Sequence, residues 1–417
     1  MSDTPRKGSL LVIFLTVFID LLGFGMVMPL LPIYANQFHV DEQGWQLGVL
    51  MASFSAMQFL FSPLWGRLSD RIGRRPVLMI GLSSSMVFYI LFGVASVMES
   101  FALLLATRIG AGIAGATIST AQAYIADSTS LEKRPRGMAL IGMAFGLGFT
   151  VGPLLGALAV QTEQDNPGPW PGWIAAALSG IALVLAIFWL PESRHEKSQS
   201  AARKVFDLQG FKEAMRTPSI GLLMFAVFVC IFSFANFETT LSLLLTGGER
   251  LETSPFAFSF RKLCLTYASI GLTLALVQGG LVRRLAGKIA EGKLAATGAL
   301  IQAIGFCLFL LAVNRATEWL MWVAMPIVVL GFSFMQPNLN SLLSRRSDPT
   351  KQGMILGVNQ SINSLARILG AFLSIPLLKF QLGLPYLVAA VLMAIGGFLV
   401  VLASRRGSDY SESPEAS

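Results

Sequence analysis

Apolar runs of about 20 residues, the length that crosses a hydrocarbon core at about 1.5 Å rise per residue, recur from one end of this chain to the other. No other feature constrains the fold as strongly. Lipid offers no hydrogen bonds, so each crossing segment must pair its own backbone groups, and a helix does that span by span. The 417 residues are 54% hydrophobic and 13% charged, against about 25% charged in an average soluble protein. The chain therefore reads as an all-α polytopic membrane protein. Apolar windows place twelve helices at 9–34, 45–65, 77–98, 101–126, 137–160, 172–190, 218–245, 263–282, 295–313, 318–341, 353–377 and 383–403. A polar connector at 191–217 separates two halves of six, 1–190 and 218–417.

The charges sort with this layout. With the amino terminus inside, 24 of the 31 Lys and Arg residues fall in segments on the inner side, as the positive-inside rule requires. Both termini are then cytoplasmic. Topology thus accounts for the net charge of +8 better than nucleic-acid binding does. The run after Arg6 and Lys7 is too long for a secretory signal, carries Asp20 and two prolines, and lacks a small-residue cleavage site. It reads as a retained first span. Cys230, Cys264 and Cys307 all lie within spans, with neither a disulfide framework nor metal-ligand spacing. His39 and His195 lie in loops and no nucleophile–base pair is visible, so no enzyme is expected.

Between the second and third runs stands Gly66-Arg67-Leu68-Ser69-Asp70-Arg71-Ile72-Gly73-Arg74-Arg75-Pro76. Four arginines and an aspartate cannot lie in hydrocarbon without a large penalty, so a tight cytoplasmic loop is expected. Shifting the chain by 214 residues lays Gly66 on Gly280, Gly73 on Gly287, Gly156 on Gly370 and Ala157 on Ala371, a faint repeat relating the halves. This stretch is similar to the loop motif of the major facilitator superfamily. Arg108-Ile109-Gly110-Ala111-Gly112 resembles that family's intramembrane arginine motif, and the segment Gly148 to Gly156 its antiporter glycine-proline motif. Asp20 with Gly23 and Pro29 resembles the acidic first-helix motif of the twelve-helix drug:proton antiporters, including tetracycline exporters. The resemblance implies two pseudo-symmetric six-helix bundles and a cytoplasmic latch of Gly66, Asp70, Arg71, Gly73, Arg74 and Asp127. It also implies that Arg108 faces the first helix, where Asp20 is its partner in one conformation. One departure counts against tetracycline itself: the ninth span carries no acid, only Gln302. Pro191-Glu192-Ser193-Arg194 is weakly similar to a sugar-porter signal.

Asp20 sits midway along an apolar helix, where an ionised carboxylate costs several kcal/mol unless neutralised or partnered. A group poised between those two states suits proton carriage; a carboxyl that only bonds a neighbouring helix is the alternative. Arg108 cannot shed its proton and needs acceptors inside the bundle. Its role is either to tune Asp20 or to pin helices. Glu238, among Phe225, Phe228, Phe232, Phe234 and Phe237, suits a cavity for an amphiphilic or cationic organic molecule. Asn236, Gln336, Asn359 and Asn363 are the accompanying cavity candidates, with interhelical hydrogen bonding as the competing role. Gln336-Pro337-Asn338 is expected to break its helix. Gly148, Gly152 and Gly156 clear one helix face for close approach, and Pro153 bends it.

The expected function is proton-coupled export of amphiphilic organic compounds or drugs by alternating access, with the proton gradient as energy source and no cofactor or metal. Uptake or facilitated transport of a sugar, organic anion or other metabolite is the alternative on the same fold. A non-transporting receptor or scaffold is the alternative of another class. The expected partners are a small organic substrate, protons and the lipid bilayer, without nucleic acid, for a monomer in a bacterial inner membrane.

Overall fold

The computed structural model describes residues 7–27, 31, 45–159, 168–193, 218–246, 255–256, 258, 260–348, 352–407 and 409. Pro29, His39, His195, Arg6 and the connector beyond Ser193 lie outside them. The described residues form helices α1 (Lys7–Val27), α2 (Trp45–Ile72), α3 (Arg74–Val97), α4 (Phe101–Gly115), α5 (Ile118–Asp127), α6 (Arg134–Ala159) and α7 (Trp170–Trp189). They continue with α8 (Pro218–Thr246), α9 (Phe260–Leu276), α10 (Glu291–Asn314), α11 (Glu318–Arg346), α12 (Gln352–Phe380) and α13 (Leu384–Arg405). No strand occurs among them, only an isolated bridge between Ala286 and Ile289. Because α4 and α5 together make the fourth span, the helices make twelve spans, of which eleven are long and apolar enough to cross a membrane. The other is the 28-residue α2. Large apolar side chains such as Phe188, Trp189, Phe372 and Phe398 point outward, a surface suited to lipid and costly in water.

The spans pack as two sets. In the first, α1 lies on α6 and α7, and α3 on α4 and α7; in the second, α8 lies on α12 and α13, and α10 on α11 and α13. The sets meet chiefly through α2 with α12 and α6 with α9, and also through α5 with α12 and α6 with α11. Helix α6 manages contacts in both directions because it is lined with glycine. A Cβ on Gly152 would stand 2.7 Å from the Gly25 carbonyl carbon in α1, and one on Gly148 would stand 2.9 Å from Leu21 O. Toward the other set, a Cβ on Gly146 would stand 2.6 Å from Ala275 N. Pro153 and Gly156 are buried in the same helix. Glycine removes the side chains that would hold these backbones apart, which is how membrane helices gain close packing.

Three sequence expectations change. The stretch 66–76 is not a loop: helix continues to Ile72 and resumes at Arg74, leaving Gly73 alone between them. Gly73 turns the chain in one residue because its φ of 103° is open to glycine and strained for other residues. Gly287, its partner in the 214-residue repeat, also has a positive φ, 80°, and stands in the equivalent turn before α10. Second, Pro337 does not break its helix, since α11 runs unbroken from Glu318 to Arg346. Pro337 lacks a backbone donor, and next to it Asn338 Nδ2 donates to Phe334 O at 2.7 Å, adding a bond within the same turn. Third, the fourth span is interrupted at Ala116-Thr117, and the eighth ends in a π-helical turn, Val277–Val282. Neither irregularity interrupts the apolar pattern that located the spans.

Candidate functional site: a cavity between the two helix sets

Where the sets face each other they enclose a cavity of about 270 Å³ with walls from both. Aromatic rings supply much of it: Phe24, Phe54 and Phe149 from the first set, Phe234 and Phe332 from the second. Phe24 lies 4.9 Å from Phe54 between ring centroids, and Phe234 stacks on Phe332 at 4.3 Å. Such walls offer flat apolar surface to an organic molecule, while a few polar groups fix its orientation. Among the described residues, three charged ones line the cavity: Asp20, Glu238 and Arg367.

Asp20 reaches it from α1, seven residues or about 10 Å short of the helix end at Val27. Its Oδ1 accepts a hydrogen bond from Ser179 Oγ of α7 at 3.0 Å. Arg108 does not contact it in this conformation. Its side chain, 1% exposed, packs over Phe54 with the guanidinium carbon 4.8 Å from the ring centroid. Nε and Nη2 of Arg108 are buried without a hydrogen-bond partner. Tyr89, on the cavity wall, lies within electrostatic reach of both Asp20 and Arg108. The expected pair is therefore open here, with Ser179 of α7 and Ser85 of α3 holding the acid.

Glu238 lines the cavity from α8, and its Oε1 accepts from Arg367 Nη1 of α12 at 3.2 Å. Gln336 and Asn363 also line it. Asn236 and Asn359 do not. Asn236, two positions from Glu238, falls on the opposite face of α8, is fully buried, and donates to Phe232 O of its own helix at 2.8 Å. Asn359 is fully buried and donates to Asn340 Oδ1 at 3.0 Å. Gln58, Gln122, Gln278 and Gln360 line the wall as well. An amide in an apolar run does not announce such a position, because the run fixes a span without fixing its rotation.

One end of the cavity is closed by the charged stretch. Arg74, 2% exposed, donates from Nε to Asp127 Oδ2 at 2.9 Å and from Nη1 to Asp70 Oδ1 at 2.5 Å. The other oxygen of Asp70 accepts from the backbone N–H of Met354, in the first turn of α12, at 3.0 Å. An anion at a helix amino terminus is favoured by the unpaired N–H groups and the helix dipole, so this bond ties the first set to the second. Ser361 Oγ donates to Phe59 O at 2.5 Å, and Arg136 Nε to Ala286 O at 3.1 Å, adding to the closure. Arg71, expected in the cluster, is exposed, and no ion pair to it occurs among the described residues. Helical phase turns it away, three residues from Arg74 and across the Gly73 turn. Gly66 is buried, its carbonyl accepting from Ser69 Oγ at 2.7 Å. Glu192, just past α7, belongs in the sequence only to a weak motif. Its carboxylate accepts from the backbone N–H groups of Arg74 at 2.9 Å and Arg75 at 3.1 Å, capping α3.

Two sets of six spans around a central cavity, joined at one end by hydrogen bonds and a helix-capping contact, make a membrane transporter and not an enzyme. Residues 13–371 match the Major Facilitator Superfamily, and the chain belongs to that family. It is 34% identical over 361 residues to the class E tetracycline resistance protein of Escherichia coli, covering 85% of this chain and 84% of that one. To the class C tetracycline resistance protein of Escherichia coli it is 32% identical, over 96% of this chain and 98% of that one. The crystal structure of the human organic anion transporter MFSD10 superposes with a TM-score of 0.82 at 25% identity, covering 95% of this chain and 99% of that one.

Proposed function

We propose that this transporter is a proton-coupled antiporter that exports amphiphilic organic compounds by alternating access. The observation that carries the reading is Asp20, an acid on the wall of an aromatic cavity, held by Ser179 and Ser85 and out of contact with the buried Arg108. In an apolar cavity the neutral acid is favoured; contact with a guanidinium favours the carboxylate. A rearrangement that brings Arg108 to Asp20 would therefore expel the proton, and one that separates them would recapture it. The Asp70–Met354 bond closes the end that the basic residues mark as cytoplasmic, so this conformation is the one in which Asp20 and the cavity communicate with the outer side. Cargo released outward and a proton taken up there would be followed by opening of the Asp70 end and discharge of the proton inside. A membrane potential of 100 mV contributes about 2.3 kcal/mol per charge moved. The tetracycline resistance relatives support export.

Proton-driven efflux in inverted vesicles tests the reading. Asp20→Asn keeps the size and hydrogen-bonding capacity of the side chain but cannot carry a proton, so uphill efflux of ethidium, an amphiphilic organic cation, should stop. Uphill efflux at the parental rate would overturn the mechanism. A second reading, transport of an organic anion, draws support from the likeness to MFSD10 and from Arg367 in the cavity wall. Its mark would be flux of an anionic dye that follows the dye's own gradient and is unchanged by Asp20→Asn.

A further inference from the structure

The ion pairs at the closed end and the one on the cavity wall differ in environment. Arg74, itself 2% exposed, is paired with Asp70 and Asp127, and a lost partner there would leave an uncompensated buried charge. Glu238 and Arg367 are 36% and 42% exposed, make a single 3.2 Å contact, and both stand on the cavity wall. At that exposure solvent screens the pair and it contributes little to holding α8 against α12. Those helices are packed along their length in any case, with Gly370 of α12 so close to Ala235 that a Cβ would stand 2.5 Å from the alanine methyl. A weak, accessible pair is one that a ligand can exchange.

Exchange favours one kind of ligand. A cation that took Glu238 would leave Arg367 unpaired in an increasingly dry cavity, and an anion that took Arg367 would leave Glu238 so. A zwitterion replaces both contacts at once. We propose that Glu238 and Arg367 form an exchangeable charge-pair subsite that recognises zwitterionic amphiphiles, the ligand's cation going to Glu238 and its carboxylate to Arg367 while its rings lie against Phe234 and Phe332. The proposal rests on the cavity being the substrate site, and it does not depend on the direction of transport or on proton coupling.

Three probes with one aromatic body separate the possibilities: ciprofloxacin, a zwitterion at neutral pH; its methyl ester, a cation; and its N-acetyl derivative, an anion. Equilibrium binding to the full chain in nanodiscs, with no gradient, should show ciprofloxacin held about tenfold or more tighter than either derivative, a gap of about 1.4 kcal/mol. Glu238→Gln should erase the preference over the anion, and Arg367→Gln the preference over the cation. The double exchange Glu238→Arg with Arg367→Glu restores a pair in reverse and should recover the zwitterion preference, which a purely structural pair or a misfolded variant would not do. Equal or undetectable binding of the three probes to the parent overturns the proposal. So does tighter binding of the cation or the anion, or variants that weaken all three alike. Loss of efflux in Asp20→Asn with these affinities unchanged would uphold the subsite, whereas retained efflux there would refute the coupling mechanism alone.

Discussion

Substituting Gly152→Ala tests whether the α1–α6 contact is set by backbone approach. The added methyl would stand 2.7 Å from the Gly25 carbonyl carbon and from Met26 N. Comfortable carbon contacts lie at about 3.5–4.0 Å, so the methyl is about 1 Å too close, and the obstructing atoms are backbone that cannot rotate aside. Nor can α1 slide easily, because Gly25 is itself seated so that a Cβ there would be 2.5 Å from Gly148 O. Relief requires α6 to lift from α1 by about 1 Å, and overpacking of this kind costs about 1–3 kcal/mol, or about 1–3 °C in melting temperature for a chain of 417 residues. The matched control is Gly280→Ala, where nothing lies within 4 Å of the added carbon. Cys230 is buried and Cys307 exposed, so a thiol-reactive fluorophore reports unfolding as the rise in signal when Cys230 is uncovered. Gly152→Ala should melt about 1–3 °C below the parent and Gly280→Ala at or above it. If both variants melt together, the close approach of α1 and α6 is not what glycine provides here.

Gly73→Ala meets two obstacles, a φ of 103° and a Cβ position 2.5 Å from Glu192 Oε2. A backbone conformation of that kind costs a non-glycine residue about 1–3 kcal/mol; the same thermal assay should register it, and an unchanged melting curve would show that the turn relaxes freely. Asp70→Asn weakens both the Arg74 pair and the anchor on Met354 N–H. With about 1–2 kcal/mol removed from the closed state, the population open at that end should rise about 5–30-fold. Spin labels on Arg71→Cys and Arg405→Cys, both exposed positions, would reveal it as a longer-distance component, and an unaltered distance distribution would count against the latch.

Much of the fold was legible because its signals are local. A run of about 20 apolar residues names a span wherever its neighbours lie, and the repeat that paired Gly73 with Gly287 found two turns of like geometry. The site was legible only in kind. Asp20, Glu238 and the Arg74 cluster announce themselves because charge in or beside lipid needs an explanation. Their partners do not. Ser179 holds Asp20 across 159 residues, Glu192 caps α3 across 118, and Asp70 reaches Met354 across 284, each depending on how far one helix is turned about its axis relative to another. The same rotation separates Gln336 and Asn363, on the cavity wall, from Asn236 and Asn359, buried away from it.

The sequence by itself determined that this is a helical membrane protein of twelve spans, and its motifs pointed to the family, because hydrophobic length and charge placement act residue by residue against the bilayer. Only the tertiary structure decided that Arg108 rests on Phe54 and not on Asp20, that Glu238 meets Arg367, and that Asp70 closes one end by capping α12. Those contacts form between spans, and in a bilayer the apolar faces of a span are nearly equivalent toward lipid. Glycine-sized gaps and the few interhelical polar bonds choose among rotations that hydropathy leaves almost equal in energy.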